Sequence, residues 1–147
     1  MDQTDIRILE VLQENSRITM TELGKKVALT APAAAERIRK LEEKGVIQNY
    51  SVIINPEKVN KPISAFILFD SDKCKQFVEF CKGYPDVVEC HRLAGKYSFL
   101  VKILTSSVAQ LEVFIDSSMK FGKSSTFITL SSPIKSRAIQ LQEDIDF

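Results

Sequence analysis

The stretch TAPAAAERIRKLEEKG, residues 30–45, contains a helix start, two distinct helix faces and a helix stop. Thr30 is a helix-capping residue type, and Pro32 falls in the first turn, where its missing N–H removes no helical hydrogen bond. Gly45 follows the last turn, a position at which glycine often ends helices. Three apolar residues repeat at helical spacing on one side: Ala34, Ile38 and Leu41. The sequence therefore predicts a helix from about residue 31 to residue 44 with one buried side.

The opposite side of this predicted helix is basic, with small residues near its start. Small residues permit close approach to base edges, while arginine pairs with guanine or phosphate and lysine reaches phosphates. We therefore predict that this helix enters a DNA groove and that six residues contact DNA: Thr30, Pro32, Ala33, Arg37, Lys40 and Lys44. Charge alone does not distinguish a DNA-binding helix from an ordinary surface helix. The same helix contains Glu36, Glu42 and Glu43, and mixed charges of this kind are also typical of a solvated helix with internal charge pairs.

Two further helices are predicted before residue 30. The first begins after Asp2 and carries an apolar stripe, and the second begins at a capping box formed by Thr19 and Glu22. A capped helix, a short break and an exposed basic helix together are typical of a helix-turn-helix. Residues 46–54 have strand propensity and are predicted as the wing-side strand, so the DNA-binding domain spans residues 1–54.

The hydrophobic period changes after a polar linker predicted over residues 55–61. From residue 62 the pattern predicts strand, helix, strand, strand, helix and strand, the ferredoxin-like βαββαβ order. We assign residues 62–147 to this second domain, so the fold class is α+β: an N-terminal winged helix-turn-helix plus a C-terminal ferredoxin-like domain.

The first strand of the second domain is apolar on both faces, from Ile63 to Phe69. Two helices can cover only one face of the sheet, and a bare second face would be a larger apolar patch than monomers usually expose. We therefore expect a sheet-to-sheet homodimer, which would present two basic helices to half-sites about 34 Å apart.

Overall composition excludes several classes of protein. The formal net charge is only +1, so DNA binding has to come from local placement of charge. No stretch approaches the roughly 18 apolar residues that span a bilayer, and the opening residues lack a secretory pattern, so we expect a cytoplasmic, nucleoid-associated protein without a membrane partner. The cysteines lack metal-ligand spacing, and neither a metal nor a cofactor is expected.

The N-terminal segments resemble the opening of the Lrp/AsnC, or feast/famine, transcription regulators. The resemblance is carried by DQTDIRIL at residues 2–9, NSR at 15–17, RIRKLEEKGVI at 37–47, Tyr50 and Asn55-Pro56. It implies a sequence-specific DNA-binding regulator in which residues 30–44 are the recognition segment. It also implies a second domain that dimerises, dimers that often assemble into tetramers or octamers, and modulation by a small amino acid or related metabolite.

The family's effector turn between the second and third strands is commonly Gly-Asp-aromatic-Asp. This sequence has Gly95-Lys96-Tyr97-Ser98, which keeps the glycine and the aromatic residue and loses both carboxylates. An acidic turn suits a ligand ammonium, whereas lysine suits an anion. Three alternatives stay open: the effector is a carboxylate-bearing metabolite, amino-acid sensing is lost, or Lys96 only solvates the turn.

An enzyme is the rival class. The sequence contains no Gly-rich phosphate loop, no HExxH motif and no nucleophile elbow. Sirohaem decarboxylases are similar to this family in both domains, and such an enzyme would need His91 and Arg92 to face one pocket. We expect a protein that is not an enzyme.

Overall fold

The computed structural model describes residues 1–142, which form two compact units. The N-terminal unit contains Met1–Val52 together with residues 134–142, and the C-terminal unit contains Ile53–Pro133. Residues 134–142 therefore group with the N-terminal unit, whereas the sequence pattern predicted one second domain over residues 62–147. Residues 143–147 lie outside the described residues.

Three helices build the N-terminal unit: α1 (Gln3–Glu14), α2 (Met20–Lys26) and α3 (Ala31–Glu43). Their apolar sides share one core, formed by Ile8, Leu9, Val11, Leu12, Ile18, Leu23, Ala34, Ile38 and Leu41. The three buried positions predicted for α3 are therefore confirmed.

The helix starts are capped as their sequences indicate. Asp2 accepts a hydrogen bond from the Asp5 N–H at 2.8 Å, and the Asp2 N–H donates to the Asp5 carboxylate at 3.2 Å. Thr19 and Glu22 form the predicted capping box at α2. The Thr30 hydroxyl accepts from the Ala33 N–H at 3.3 Å. These bonds satisfy N–H groups that a helix start leaves unpaired.

The turn between α2 and α3 depends on a left-handed residue. Ala28 has φ +56°, and the Leu29 N–H donates to the Gly24 carbonyl at 2.8 Å. This is the hydrogen bond of a Schellman motif, in which glycine usually occupies the left-handed position. A Cβ atom on Gly24 would lie 2.5 Å from the Leu29 oxygen, so the close approach of α2 to this turn requires glycine there.

The wing-side strand predicted over residues 46–54 is not formed within the described part of the chain. Residues 48–55 adopt no regular secondary structure, and no strand pairs with them. Val52 and Ile53 are 85% and 87% exposed. Strand propensity alone does not produce a strand, because a strand also needs a hydrogen-bonding partner.

The C-terminal unit has the predicted βαββαβ order. Its elements are β1 (Ile63–Asp70), α4 (Cys74–Lys82), β2 (Val87–Arg92), β3 (Phe99–Thr105), α5 (Val108–Ser118) and β4 (Lys123–Ile128). Short 3-10 helices cover Pro56–Val59 and Met119–Phe121. The strands pair antiparallel in the order β2-β3-β1-β4, which confirms the ferredoxin-like prediction.

Alternate residues of the sheet have opposite environments. Ala65, Ile67 and Phe69 are fully buried in a core that includes Phe77 of α4 and Phe114 of α5. The residues between them in β1 point to the helix-free face, because side chains alternate along a strand. Five apolar residues of that face are only partly covered: Phe66, Leu68, Leu100, Leu104 and Phe127.

An ion pair joins the start of α1 to the middle of α3. The Arg37 guanidinium lies 2.6 Å from the Asp2 carboxylate and 2.8 Å from that of Asp5. The hydrogen bond from Arg37 holds the pKa of Asp2 below its ordinary value. Arg37 therefore fixes one helix against the other.

Replacing Ala28 with glycine is expected to stabilise the protein by about 1 kcal/mol, because an L-residue in the left-handed region costs about 1–2 kcal/mol and glycine loses part of that gain to unfolded-state entropy. Urea unfolding followed by circular dichroism measures the change. The matched control is Ala35→Gly, at an exposed position inside α3, which is expected to destabilise by about 1 kcal/mol. A loss of stability in both variants would contradict the role assigned to Ala28.

Removing the ion pair with Arg37→Ala is expected to lower the free energy of unfolding at neutral pH by about 1 kcal/mol, since the pair is partly exposed. The pKa of Asp2 is depressed in the folded state, so this stabilisation is present above the ordinary Asp pKa of about 3.9 and is lost as pH falls through the folded value. Unfolding curves of wild type and variant should therefore converge in acid. Arg7→Ala, which removes a pair only within α1, is the control, and an equal pH-dependent loss in both variants would refute the assignment.

Candidate nucleic-acid interface and ligand site

The outward surface of α3 carries charges that are paired within the helix. Arg39 donates to Glu36 at 2.7 and 2.9 Å and also pairs with Glu43. The Lys40 ammonium lies 3.7 Å from the same Glu36 carboxylate. Lys44 caps the C-terminal end of the helix, is exposed, and forms no ion pair with the described residues. The surface is therefore less basic than a count of its lysines and arginines indicates.

Five of the six predicted DNA-contacting residues lie on or beside accessible surface. Thr30 and Pro32 are exposed at the start of α3, Ala33 is half-buried behind them, and Lys40 and Lys44 are exposed nearer its end. The Thr30 hydroxyl accepts the capping hydrogen bond, so its own hydrogen is free to be donated.

Arg37 differs from the other five because its guanidinium is turned toward α1. Its helical spacing matches that of Lys40 and Lys44, which is why sequence reasoning placed it on their line. The side chain is 33% exposed and bound to Asp2 and Asp5. Sequence reasoning left out the more exposed Arg39, although its spacing from Glu36 and Glu43 indicated a solvent-facing position.

The predicted effector turn joins β2 to β3, and two of its side chains are held by the unit itself. The Ser98 hydroxyl donates to the Ser71 carbonyl at 3.1 Å and accepts from the Ser71 N–H at 3.2 Å. The Tyr97 hydroxyl lies 3.5 Å from the Ser125 hydroxyl of β4. Both residues therefore position the turn against neighbouring strands and loops.

The other two turn residues are more accessible. Gly95 has φ +141°, a backbone conformation that disfavours side chains. The Lys96 ammonium lies 5.4 Å from the centre of the Tyr97 ring, a cation–π distance. Lys96 is exposed and forms no ion pair with the described residues.

A groove opens between α4 and the β2-β3 pair. One cavity of about 540 Å³ is lined by Cys74, Lys75, Val78, Glu79, Arg92 and Phe99. A second cavity of about 390 Å³ shares Val78, Arg92 and Phe99 with the first. Arg92 and Phe99 are the β2-β3 partners nearest the turn, so the groove lies beside the base of the hairpin.

Arg92 is the cationic group best placed in this groove. Its guanidinium carbon lies 4.9 Å from the centre of the buried Phe99 ring, and no carboxylate of the described residues pairs with it. An arginine stacked on an aromatic ring keeps its N–H groups available for a planar anion. Sequence reasoning named Arg92 only in connection with an enzyme, because a single arginine in a strand gives no sign of what lies beneath it.

His91 and Arg92 do not share a pocket. The His91 ring nitrogen lies 3.2 Å from Glu89, which in turn accepts from Lys102 at 2.8 Å. Consecutive strand residues point to opposite faces, so His91 lies on the helix-free face while Arg92 lines the groove. The pair that a decarboxylase of this architecture would need is therefore divided by the sheet.

The remaining reactive side chains form no further centre among residues 1–142. No group of three or more His, Cys, Asp or Glu side chains there is placed to hold a metal ion. Burial raises the pKa of the Cys81 thiol to about 12, so that thiol stays protonated. Within the same residues, no helix has the length and apolar character needed to cross a membrane.

Comparison with known protein families matches both units. Residues 1–48 match the family described as winged helix-turn-helix DNA-binding, and residues 64–139 match the Lrp/AsnC ligand binding domain. The chain is 54% identical over 132 residues to an uncharacterized HTH-type transcriptional regulator, YezC, of Bacillus subtilis, covering 90% of this chain and 95% of the relative. It is 30% identical over 133 residues to the regulator LrpC of the same organism, covering 89% and 92%.

Solved structures agree with these matches. The structure of B. subtilis LrpC superposes with a TM-score of 0.87 at 29% identity, covering 92% of this chain and 99% of that one. A Neisseria meningitidis transcriptional regulator solved with L-Met superposes with a TM-score of 0.89 at 27% identity, covering 95% and 96%. Relatives that are named transcriptional regulators support a DNA-binding function and not the enzyme alternative. The chain belongs to the Lrp/AsnC family of helix-turn-helix transcriptional regulators.

Proposed function

We propose that this regulator binds DNA as a homodimer through α3 and is modulated by a small carboxylate-bearing metabolite. The observation that carries the proposal is the division of α3 into a buried side and an accessible side with small residues at its start. We infer that the protein acts in the cytoplasm on chromosomal, nucleoid-associated DNA.

In the proposed complex the start of α3 approaches the base edges. Pro32 and Ala33 leave room for close approach, and Thr30 donates its hydroxyl to a phosphate. Lys40 and Lys44 contact phosphates further along the helix. Arg37 contributes by positioning α3, because its guanidinium is bound to Asp2 and Asp5. We propose this role in place of the contact with guanine or phosphate that its spacing predicts.

The paired charges of α3 are compatible with DNA binding. Exposed ion pairs contribute only about 0–1 kcal/mol each, so a phosphate can replace Glu36 as the partner of Lys40 or Arg39 at small cost. Because few base-reading polar groups remain at the start of α3, we propose that sequence preference depends largely on DNA shape.

The homodimer is proposed to form through the helix-free face of the sheet. Phe66, Leu68, Leu100 and Phe127 give that face an apolar surface, which a second copy can cover without exposing new edges. Dimerisation through one shared face would present two α3 helices to the same duplex, and further assembly would give the tetramers or octamers expected of the family.

The effector is proposed to bind in the groove beside Gly95-Lys96-Tyr97-Ser98. Arg92 and Lys75 supply positive charge for a carboxylate, and Val78 and Phe99 supply an apolar wall. Glu79 is the carboxylate that lines this cavity, and it faces two cationic lining residues, Lys75 and Arg92, so positive charge outweighs negative charge there. The site therefore favours an apolar oxo-acid over the corresponding amino acid.

Replacing Lys44 with alanine is expected to weaken binding to specific and random DNA alike, because a phosphate contact carries no sequence information. The slope of log affinity against log salt should fall by about 1. Fluorescence anisotropy across a salt series measures both. Lys58→Ala, in the C-terminal unit, is the charge-matched control and should change neither the affinity nor the salt slope. An unchanged salt slope for Lys44→Ala would exclude the phosphate contact.

Replacing Arg92 with glutamine is expected to weaken binding of 4-methyl-2-oxopentanoate by about tenfold or more, because a hydrogen bond to a charged group is lost. Isothermal calorimetry with this oxo-acid and with L-leucine tests the preference, and wild type should bind the oxo-acid more tightly. Lys58→Gln, an exposed cationic position that does not line the groove, is the control. Equal affinities in wild type and Arg92→Gln, or no heat of binding with either compound, would remove this groove as the effector site.

A further inference from the structure

The C-terminal tail, residues 134–142, is attached to the end of α1 by a two-point contact. The Gln13 side-chain amide donates to the Ile139 carbonyl at 3.1 Å, and its oxygen accepts from the Ile139 N–H at 2.7 Å. One side chain therefore satisfies both backbone groups of one tail residue, as a neighbouring strand would.

Few other contacts hold residues 134–142 of the tail. Residues 131–140 are exposed and residues 134–142 adopt no regular secondary structure. Leu141 is the described tail residue that packs against the core of the N-terminal unit. Among the described residues, the attachment thus depends on the Gln13 amide and the Leu141 contact, so we expect single substitutions to release it.

The attachment point is linked to the recognition helix through α1. Gln13 lies in the last turn of α1, while Asp2 and Asp5 at its start bind Arg37 of α3. A restraint on α1 therefore acts on α3 as well, because the two helices share one core and are joined by the Arg37 ion pair.

The tail also changes how the two units are connected. The chain leaves the N-terminal unit after Val52 and returns to it at Ile134. A unit joined by one flexible segment can reorient freely, whereas a second attachment removes much of that freedom.

We propose that residues 134–142 act as a strap whose binding to Gln13 restrains the recognition helix for simultaneous contact with two half-sites. This proposal rests on the proposed homodimeric DNA binding. Once one helix of the dimer is bound, the effective concentration of the other depends on how freely it moves. The strap therefore raises affinity for paired half-sites and leaves affinity for a single half-site unchanged.

The experiment compares two duplexes: one selected from a random-sequence pool by the full-length protein, and the same duplex with one half-site scrambled. Gln13→Ala is expected to lose about tenfold in affinity on the paired duplex and nothing on the single half-site. Gln13→Glu, which keeps the acceptor and loses the donor, should fall between. Glu14→Ala, a neighbouring exposed position without a hydrogen bond or ion pair to residues 134–142, should match wild type on both duplexes.

A chain ending at Pro133 should behave like Gln13→Ala, and adding Gln13→Ala to it should cause no further loss. An equal loss on both duplexes would show that the variant only destabilises the N-terminal unit, and would overturn the strap. If wild type prefers the paired duplex and Gln13→Ala keeps that preference, the strap fails while the proposed function stands. If wild type binds both duplexes equally, both fail.

Discussion

Burial of Ala34, Ile38 and Leu41 against α1 and α2 is the contact on which the DNA-binding surface depends. Burying an Ile or Leu side chain contributes about 1.5–3 kcal/mol, which outweighs any single surface charge on α3. Ala34 is fully buried, and its small side chain lets α3 pack closely against its neighbours. Once these positions are buried, the helical period decides which side chains remain for DNA.

Charge on this protein acts through position because its total is close to zero. Glutamates accompany the basic residues of α3, and Arg39 and Lys40 are paired with Glu36. Weak pairs of this kind reduce long-range attraction to arbitrary phosphates yet are exchanged easily on contact. Position matters in the groove of the C-terminal unit as well. Arg92 stacks on the Phe99 ring there and pairs with no carboxylate of the described residues, so its N–H groups can bind an anion.

Sequence reasoning predicted the order of helices and strands because hydrophobic periodicity reports burial directly, and capping residues report helix starts. Contacts between distant positions carry no such local pattern. Arg37 and Asp2 are 35 residues apart, so nothing around Arg37 indicated that it would face α1. The hydrogen bonds between the Ser98 hydroxyl and Ser71 likewise join distant positions and had no local signal. The strand predicted over residues 46–54 does not form among the described residues. Strand propensity is a local property and does not indicate whether a second strand is available for pairing.

The proposed function depends on two copies of α3 occupying successive grooves on one side of a duplex. Hydroxyl-radical footprinting of the full-length protein on a selected duplex tests it most directly, because cleavage reports each protected sugar. We expect two protected patches whose centres lie about 10–10.5 base pairs apart, or a multiple of that spacing, on one face of the DNA helix. A single protected patch, or two patches on opposite faces, would contradict it.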